Sequence, residues 1–77
     1  MTSKQIFTSI LHDAIGTTRS CNDGSGMGSF TISATDYDGI ADNLNTWWIE
    51  YYEDVECTVE SATEYFNETY PEIDPAA

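Results

Sequence analysis

Apolar residues recur at helical spacing in three stretches of the chain, and the polar residues between them differ in kind from one stretch to the next. In the first, Ile6, Phe7, Ile10, Leu11, Ala14 and Ile15 fall on one stripe. Ser3 stands where an N-cap belongs and Gly16 where a helix stops, so a helix is expected between them. Residues 20–29, SCNDGSGMGS, break the period with glycines and the turn formers Asn22 and Asp23, and are expected to form a flexible connector. Gly24-Ser25-Gly26-Met27-Gly28 lacks the Walker lysine and the dinucleotide GxGxxG spacing, so it does not read as a phosphate cradle. Phe30, Ile32 and Ala34 then alternate with Ser and Thr, which predicts a short strand in need of a partner.

From Thr35 the helical period returns. Tyr37, Ile40, Leu44, Trp47, Trp48 and Tyr51 form a second stripe, capped by Thr35 or Asp36. Val55, Val59, Ala62, Phe66 and Tyr70 form a third, which ends before Pro71. No Gly or Pro separates Ile40 from Tyr70. One bent helix of about 45 Å would fit that span at 1.5 Å per residue. Two helices meeting near Asp54 fit better, because a single one leaves little chain to cover its aromatic stripe. The aromatic run TWWIEYY, residues 46–52, also carries a competing strand reading. The chain therefore reads as mainly α, a small single domain over 1–77 of about three helices, with a short β element near residues 29–34 as the α+β alternative.

Composition changes this picture at one point, the charge. Fourteen Asp and Glu stand against two Lys and Arg in 77 residues, a net charge of -12. Both cations, Lys4 and Arg19, lie in the first nineteen residues with Asp13, and every other acid lies beyond Ser20. A hydrophobic fraction of 40% with ten aromatic residues separates the chain from disordered acidic tails. A domain this small buries only about 60% of its unfolded surface, so a monomer or a homodimer is expected. Two cysteines, Cys21 and Cys57, without paired metal-ligand spacing read as inert thiols rather than a disulfide framework or zinc site. The N-terminal stretch has no long apolar core and no segment reaches the roughly 18 apolar residues of a membrane span, which predicts a cytoplasmic protein away from membranes.

The acids are ordered. In the third segment Glu56, Glu60, Glu64 and Glu68 recur every fourth residue, opposite a stripe centred on Val59, Ala62 and Phe66. Each step advances about 6 Å and turns about 40°. In the second segment Asp38, Asp42, Glu50 and Asp54 keep the same spacing, with Thr46 at the missing step and Glu53 alongside. If the two helices form an antiparallel hairpin, the rows are expected to flank one surface. Like pairs at this spacing oppose folding by roughly 0.2–0.5 kcal/mol each. Glu64 and Glu68 also approach the C-terminal end of their helix, where the dipole disfavours anions. An ordinary solvated face mixes Glu with Lys; this one does not. DNA carries one charge per 3.4 Å of axis on each strand, and its rotating phosphates are roughly 6–7 Å apart. A winding row of carboxylates about 6 Å apart approximates such a strand.

Small size, near absence of Lys and Arg, and acidic rows on aromatic-backed helices resemble the phage and mobile-element inhibitors that mimic DNA, the anti-CRISPR and anti-restriction proteins. The likeness covers composition and arrangement over most of the chain and no specific motif. Residues 34–40, ATDYDGI, are faintly similar to an acidic Asp-Tyr-Glu-Gly stretch of the ArdA antirestriction family, whose members are much longer. The resemblance implies inhibition of a CRISPR effector or restriction enzyme by filling its nucleic-acid-binding site, without catalysis, without cofactor and without direct nucleic acid binding. The expected partner is a basic nucleic-acid-binding protein or complex, met by Asp38, Asp42, Glu50, Glu53, Asp54, Glu56, Glu60, Glu64 and Glu68.

Other readings compete. A small acidic adaptor would dock on a basic or apolar patch without displacing DNA, and a salt-adapted surface would need no partner. Asp36-Tyr37-Asp38-Gly39 opens like a calcium loop, but Ile40 and Trp47 occupy the fifth and twelfth positions of the EF-hand pattern. His12 has no Ser or Cys partner motif, so an enzyme is not expected. Trp47 and Trp48 read as core. Ile49 falls among the acids, to be covered by the first helix or to serve as an apolar anchor.

Overall fold

The computed structural model describes residues 1–21 and 28–73. The connector expected over 20–29 therefore lies mostly outside the described residues. Helix α1 spans Ser3–Asp13. Its cap is Thr2, not the Ser3 that the sequence suggested: Thr2 Oγ1 accepts from the Gln5 amide at 3.2 Å, and Gln5 Oε1 accepts from the Thr2 amide at 2.9 Å. This reciprocal pair satisfies two otherwise unpaired amides at the helix start. Ser3 is thereby free to donate its hydroxyl to Asn45 on the second helix. Ile6, Phe7, Leu11 and Ala14 are buried along the expected stripe. Gly16 follows at φ 92°, a backbone conformation that a side chain would strain, and its amide donates to Ile32 O at 2.8 Å.

That turn feeds strand β1, Thr18–Ser20, which pairs antiparallel with β2, Ser29–Thr31, in the register Thr18↔Thr31, Arg19↔Phe30 and Ser20↔Ser29. The strand expected near residues 29–34 thus finds its partner directly after α1, and Ile32 beyond its end is buried. Residues 71–73 pair along the other edge of β1. Ser20 N donates to Pro71 O, Ile73 N donates to Thr18 O, both at 2.8 Å, and Arg19 and Glu72 form an antiparallel bridge.

Helix α2, Tyr37–Tyr51, and helix α3, Val59–Thr69, are separate, so the two-helix reading holds and the TWWIEYY strand does not form. Asp36 is the N-cap residue of α2, but its carboxylate accepts from Ser33 Oγ at 3.0 Å rather than capping an amide. The break before α3 has a local cause. Thr58 Oγ1 accepts from the Ser61 amide at 3.1 Å while Ser61 Oγ accepts from the Thr58 amide at 2.9 Å, which starts a new helix.

α1 packs against both other helices. Against α2, Ser3 meets Asn45 and the His12 ring meets Tyr37, so the two run antiparallel. α2 and α3 meet mainly through rings: Tyr65 stands edge-on to Trp48 and Tyr52, and Trp47 tilts against Tyr70. Three expected core positions are corrected. Tyr51, Val55 and Val59 are 68%, 49% and 58% exposed. The buried stripe of α3 is Ala62 and Phe66, continued by Tyr70 and flanked by half-buried Tyr65.

Arg19 is the buried cation that ties sheet to helix. Only 5% of its surface is exposed, and its guanidinium lies 4.3 Å over the Phe66 ring. Nε donates to Thr17 Oγ1 at 3.1 Å, and Nη1 to Asn67 Oδ1 at 2.8 Å and to Tyr70 O at 3.3 Å. Burial lowers its pKa, with Glu72 opposing that shift. Its position answers the dipole conflict of Glu64 and Glu68, because a cation at the C-terminal end of α3 compensates the carbonyls there.

Candidate functional site

Every carboxylate proposed for the acidic rows is exposed, but the rows are not laid out as the sequence spacing implied. On α2, Asp38 and Asp42 both face Lys4 of α1, whose Nζ lies 3.4 and 3.7 Å from them. The first half of that row is thus partly neutralised from within. Glu50 continues it two turns beyond Asp42, past Thr46, whose hydroxyl donates to Asp42 O at 2.9 Å. Glu53, Asp54 and Glu56 belong to neither helix: they lie in the linker between Tyr51 and Val59. The helical row expected from Glu56 to Glu68 is therefore shorter and comprises Glu60, Glu64 and Glu68.

The Asp38–Asp42 pair and the α3 row occupy different sides of the molecule. The edge of α2 that faces α3 carries Trp47 and Tyr51, which share a groove of about 260 Å³ with Tyr65 and Thr69. At 100° per residue, Asp42 is about 140° around the helix from Trp47, and Asp38 is about 140° from Tyr51. The expected single surface between flanking rows is thus replaced by a seam of rings, with the α3 row beside it and the Asp38–Asp42 pair on the α1 side.

At the linker end of this seam a second groove, of about 220 Å³, is lined by Trp48, Tyr52, Val55, Ser61, Glu64, Tyr65 and Glu68. The Trp48 and Tyr52 rings stack at 4.9 Å with planes 27° apart, and Tyr65 stands edge-on to both at 5.5 and 5.4 Å. Trp48 is buried, as expected for core, whereas Tyr52 and Val55 are 39% and 49% exposed. Burial pushes the Tyr65 phenol up, opposed by a hydrogen bond with Thr69 and reinforced by Tyr52 and Tyr51, so it stays a neutral hydroxyl at physiological pH. Ile49 is 55% exposed, so α1 does not cover it.

Sequence reasoning missed Tyr65 and Arg19. The first had a signal, since Ala62, Tyr65, Phe66 and Thr69 share the helical period with the core. The second had none, because Thr18-Arg19-Ser20 contains no apolar residue to mark a strand.

Cys21 and Cys57 are free and half-buried, and burial raises the Cys57 pKa, which disfavours its thiolate. His12 is exposed, its Nδ1 3.9 Å from Asp13 and its ring against Tyr37. Among the described residues, no three His, Cys, Asp or Glu side chains stand together as a metal site requires, and no helix is long and apolar enough to cross a membrane. Compared with family models, curated proteins and solved structures, the chain matches none of them.

Proposed function

We propose that this protein is an acidic inhibitor that occupies the nucleic-acid-binding site of a basic partner, in the manner of the phage anti-CRISPR and anti-restriction proteins it resembles. The observation that carries the reading is the fate of the two cations. Lys4 is held at Asp38 and Asp42, and Arg19 is buried over Phe66. Neither forms an ion pair with Glu50, Glu53, Asp54, Glu56, Glu60, Glu64 or Glu68 among the described residues. These exposed carboxylates draw on solvent, counterions or a partner for their charge balance. On α3 they rise about 6 Å per step, close to the phosphate spacing along one DNA strand. A Lys- and Arg-lined channel that binds DNA by releasing counterions would gain the same release from this surface.

A second reading is favoured by one feature, the exposure of Ile49, Tyr51 and Val55 among the acids. An adaptor that docks on a basic and apolar patch beside the DNA channel would use the same residues without excluding DNA. The experiment is capture of the partner from lysate of a bacterium with CRISPR and restriction systems, followed by reconstitution with the purified complex. Glu60→Lys with Glu64→Lys should keep the helical circular dichroism and lose both binding and inhibition. Undiminished inhibition by that variant would move the interface to Asp38, Asp42 and Glu50.

A further inference from the structure

We infer that the groove between the end of α2, the linker and α3 is a socket for a single arginine side chain of the partner. This rests on the proposed basic-partner reading and gives it a chemical address. The groove is about 220 Å³, below the roughly 300–1,000 Å³ of small-molecule sites and in scale with one inserted side chain. Its wall is the ring cluster of Trp48, Tyr52 and Tyr65. Val55 adds an exposed apolar edge, and Glu64 and Glu68, one turn apart, supply two carboxylates on the α3 side.

Rings beside carboxylates suit a guanidinium in two ways. Its plane stacks on aromatic faces, and its fork of donors engages carboxylate oxygens two at a time. The same protein uses part of this chemistry internally, with Arg19 lying 4.3 Å over Phe66 and donating to Asn67. A lysine ammonium is a compact point charge that gains less from a ring wall and cannot make the bidentate contact. A second copy of the chain is a poor occupant. Each copy carries a net charge of -12, and its only arginine is buried in the fold. Charge complementarity therefore selects a partner that brings its own arginine, and the acids of the linker and α3 attract the basic surface around it.

The test uses the whole protein and short capped peptides, Ac-Gly-Ser-Arg-Ser-Gly-NH2 with its lysine and citrulline counterparts, followed by NMR shifts and tryptophan fluorescence. The arginine peptide should shift signals of Tyr52, Val55, Glu64, Tyr65 and Glu68, and bind about tenfold more tightly than the lysine peptide. Citrulline, planar but uncharged, should not bind. Glu64→Gln with Glu68→Gln should remove arginine binding, and Tyr52→Leu should lower it to the lysine level. Both replace exposed side chains, and their circular dichroism should match the parent. Equal binding of arginine and lysine, or shifts centred on Asp38 and Asp42, overturns the socket. The wider reading fails separately: if the arginine peptide seats in the groove while the captured partner binds this protein and duplex DNA together, the socket stands and DNA mimicry falls.

Discussion

Glu64 is the centre of the α3 row, with Glu60 and Glu68 one turn away on either side, and all three are exposed. Glu64→Lys removes two like-charge pairs and creates two opposite-charge pairs, of which Glu60 with Lys at 64 has the favoured Glu-before-Lys order. Four contributions of about 0.2–0.5 kcal/mol give a stabilisation of roughly 0.8–2 kcal/mol at low ionic strength. For a domain of this size that is a rise in Tm of roughly 3–16 °C. Glu64→Gln, which only relieves repulsion, should give about half as much. At 1 M salt the screening length falls to about 3 Å, shorter than the separation of one helical turn, so most of the gain should vanish. The assay is thermal unfolding by circular dichroism in low and molar salt, alongside binding to the captured partner. A protein that becomes more stable while binding worse carries its acids for recognition rather than for folding. A Glu64→Lys protein of unchanged or lower Tm at low salt would refute the assignment of Glu60, Glu64 and Glu68 to one repelling row.

Three further outcomes follow from the fold. Arg19→Ala removes charged hydrogen bonds worth about 1.5–3 kcal/mol and a ring contact worth about 0.5–2 kcal/mol; urea unfolding should show a loss of at least roughly 2 kcal/mol, and a loss below 0.5 kcal/mol would contradict its role as the tie between β1 and α3. Thr58→Ala should cost about 0.5–2 kcal/mol and lower helicity at the start of α3, read by amide exchange at Ser61, whose N–H donates to the Thr58 hydroxyl; unchanged protection there would mean that the capping pair does not define the break. The folded state holds the Tyr65 and Cys57 protons more tightly than the unfolded chain, whose groups titrate near 10.0 and 9.0. Stability present below pH 9 is therefore lost as pH rises past those values. Tm measured from pH 8 to 11 should fall, and less so in Tyr65→Phe with Cys57→Ala; a Tm that rises with pH would reverse the sign of the argument.

The α1 stripe and the helical character of residues 37–51 and 59–69 were legible because apolar residues at three- and four-residue spacing report directly on a buried face. The break between α2 and α3 was harder to read, since it depends on Thr58 and Ser61 completing each other's hydrogen bonds rather than on a Gly or Pro. Val55 and Val59 misled for a related reason. Their spacing fits the stripe, but Val55 precedes the cap and Val59 is the first residue of the helix, one turn short of the buried Ala62 and Phe66, so both stay exposed. The sheet was half visible: β2 alternates, whereas β1 is a polar triplet whose central arginine is buried by tertiary contacts alone. For the candidate site, spacing identified the carboxylates of α3. It did not indicate that Lys4 claims Asp38 and Asp42, or that rings from α2 separate the two acidic faces, because both depend on how α1 and α3 dock onto α2.

Whether the acidic surface stands in for nucleic acid is decided most directly by competition at constant, moderate salt. The purified partner is saturated with this protein, and its cognate duplex DNA is titrated in while bound protein is read by fluorescence anisotropy of a label at the N-terminus. Salt is held fixed because ionic strength weakens either mode of binding. Mutually exclusive binding, with the apparent Kd for this protein rising in proportion to DNA concentration, is the expected result. A ternary complex that holds duplex DNA and this protein at once, with each affinity unchanged by the other, would contradict it.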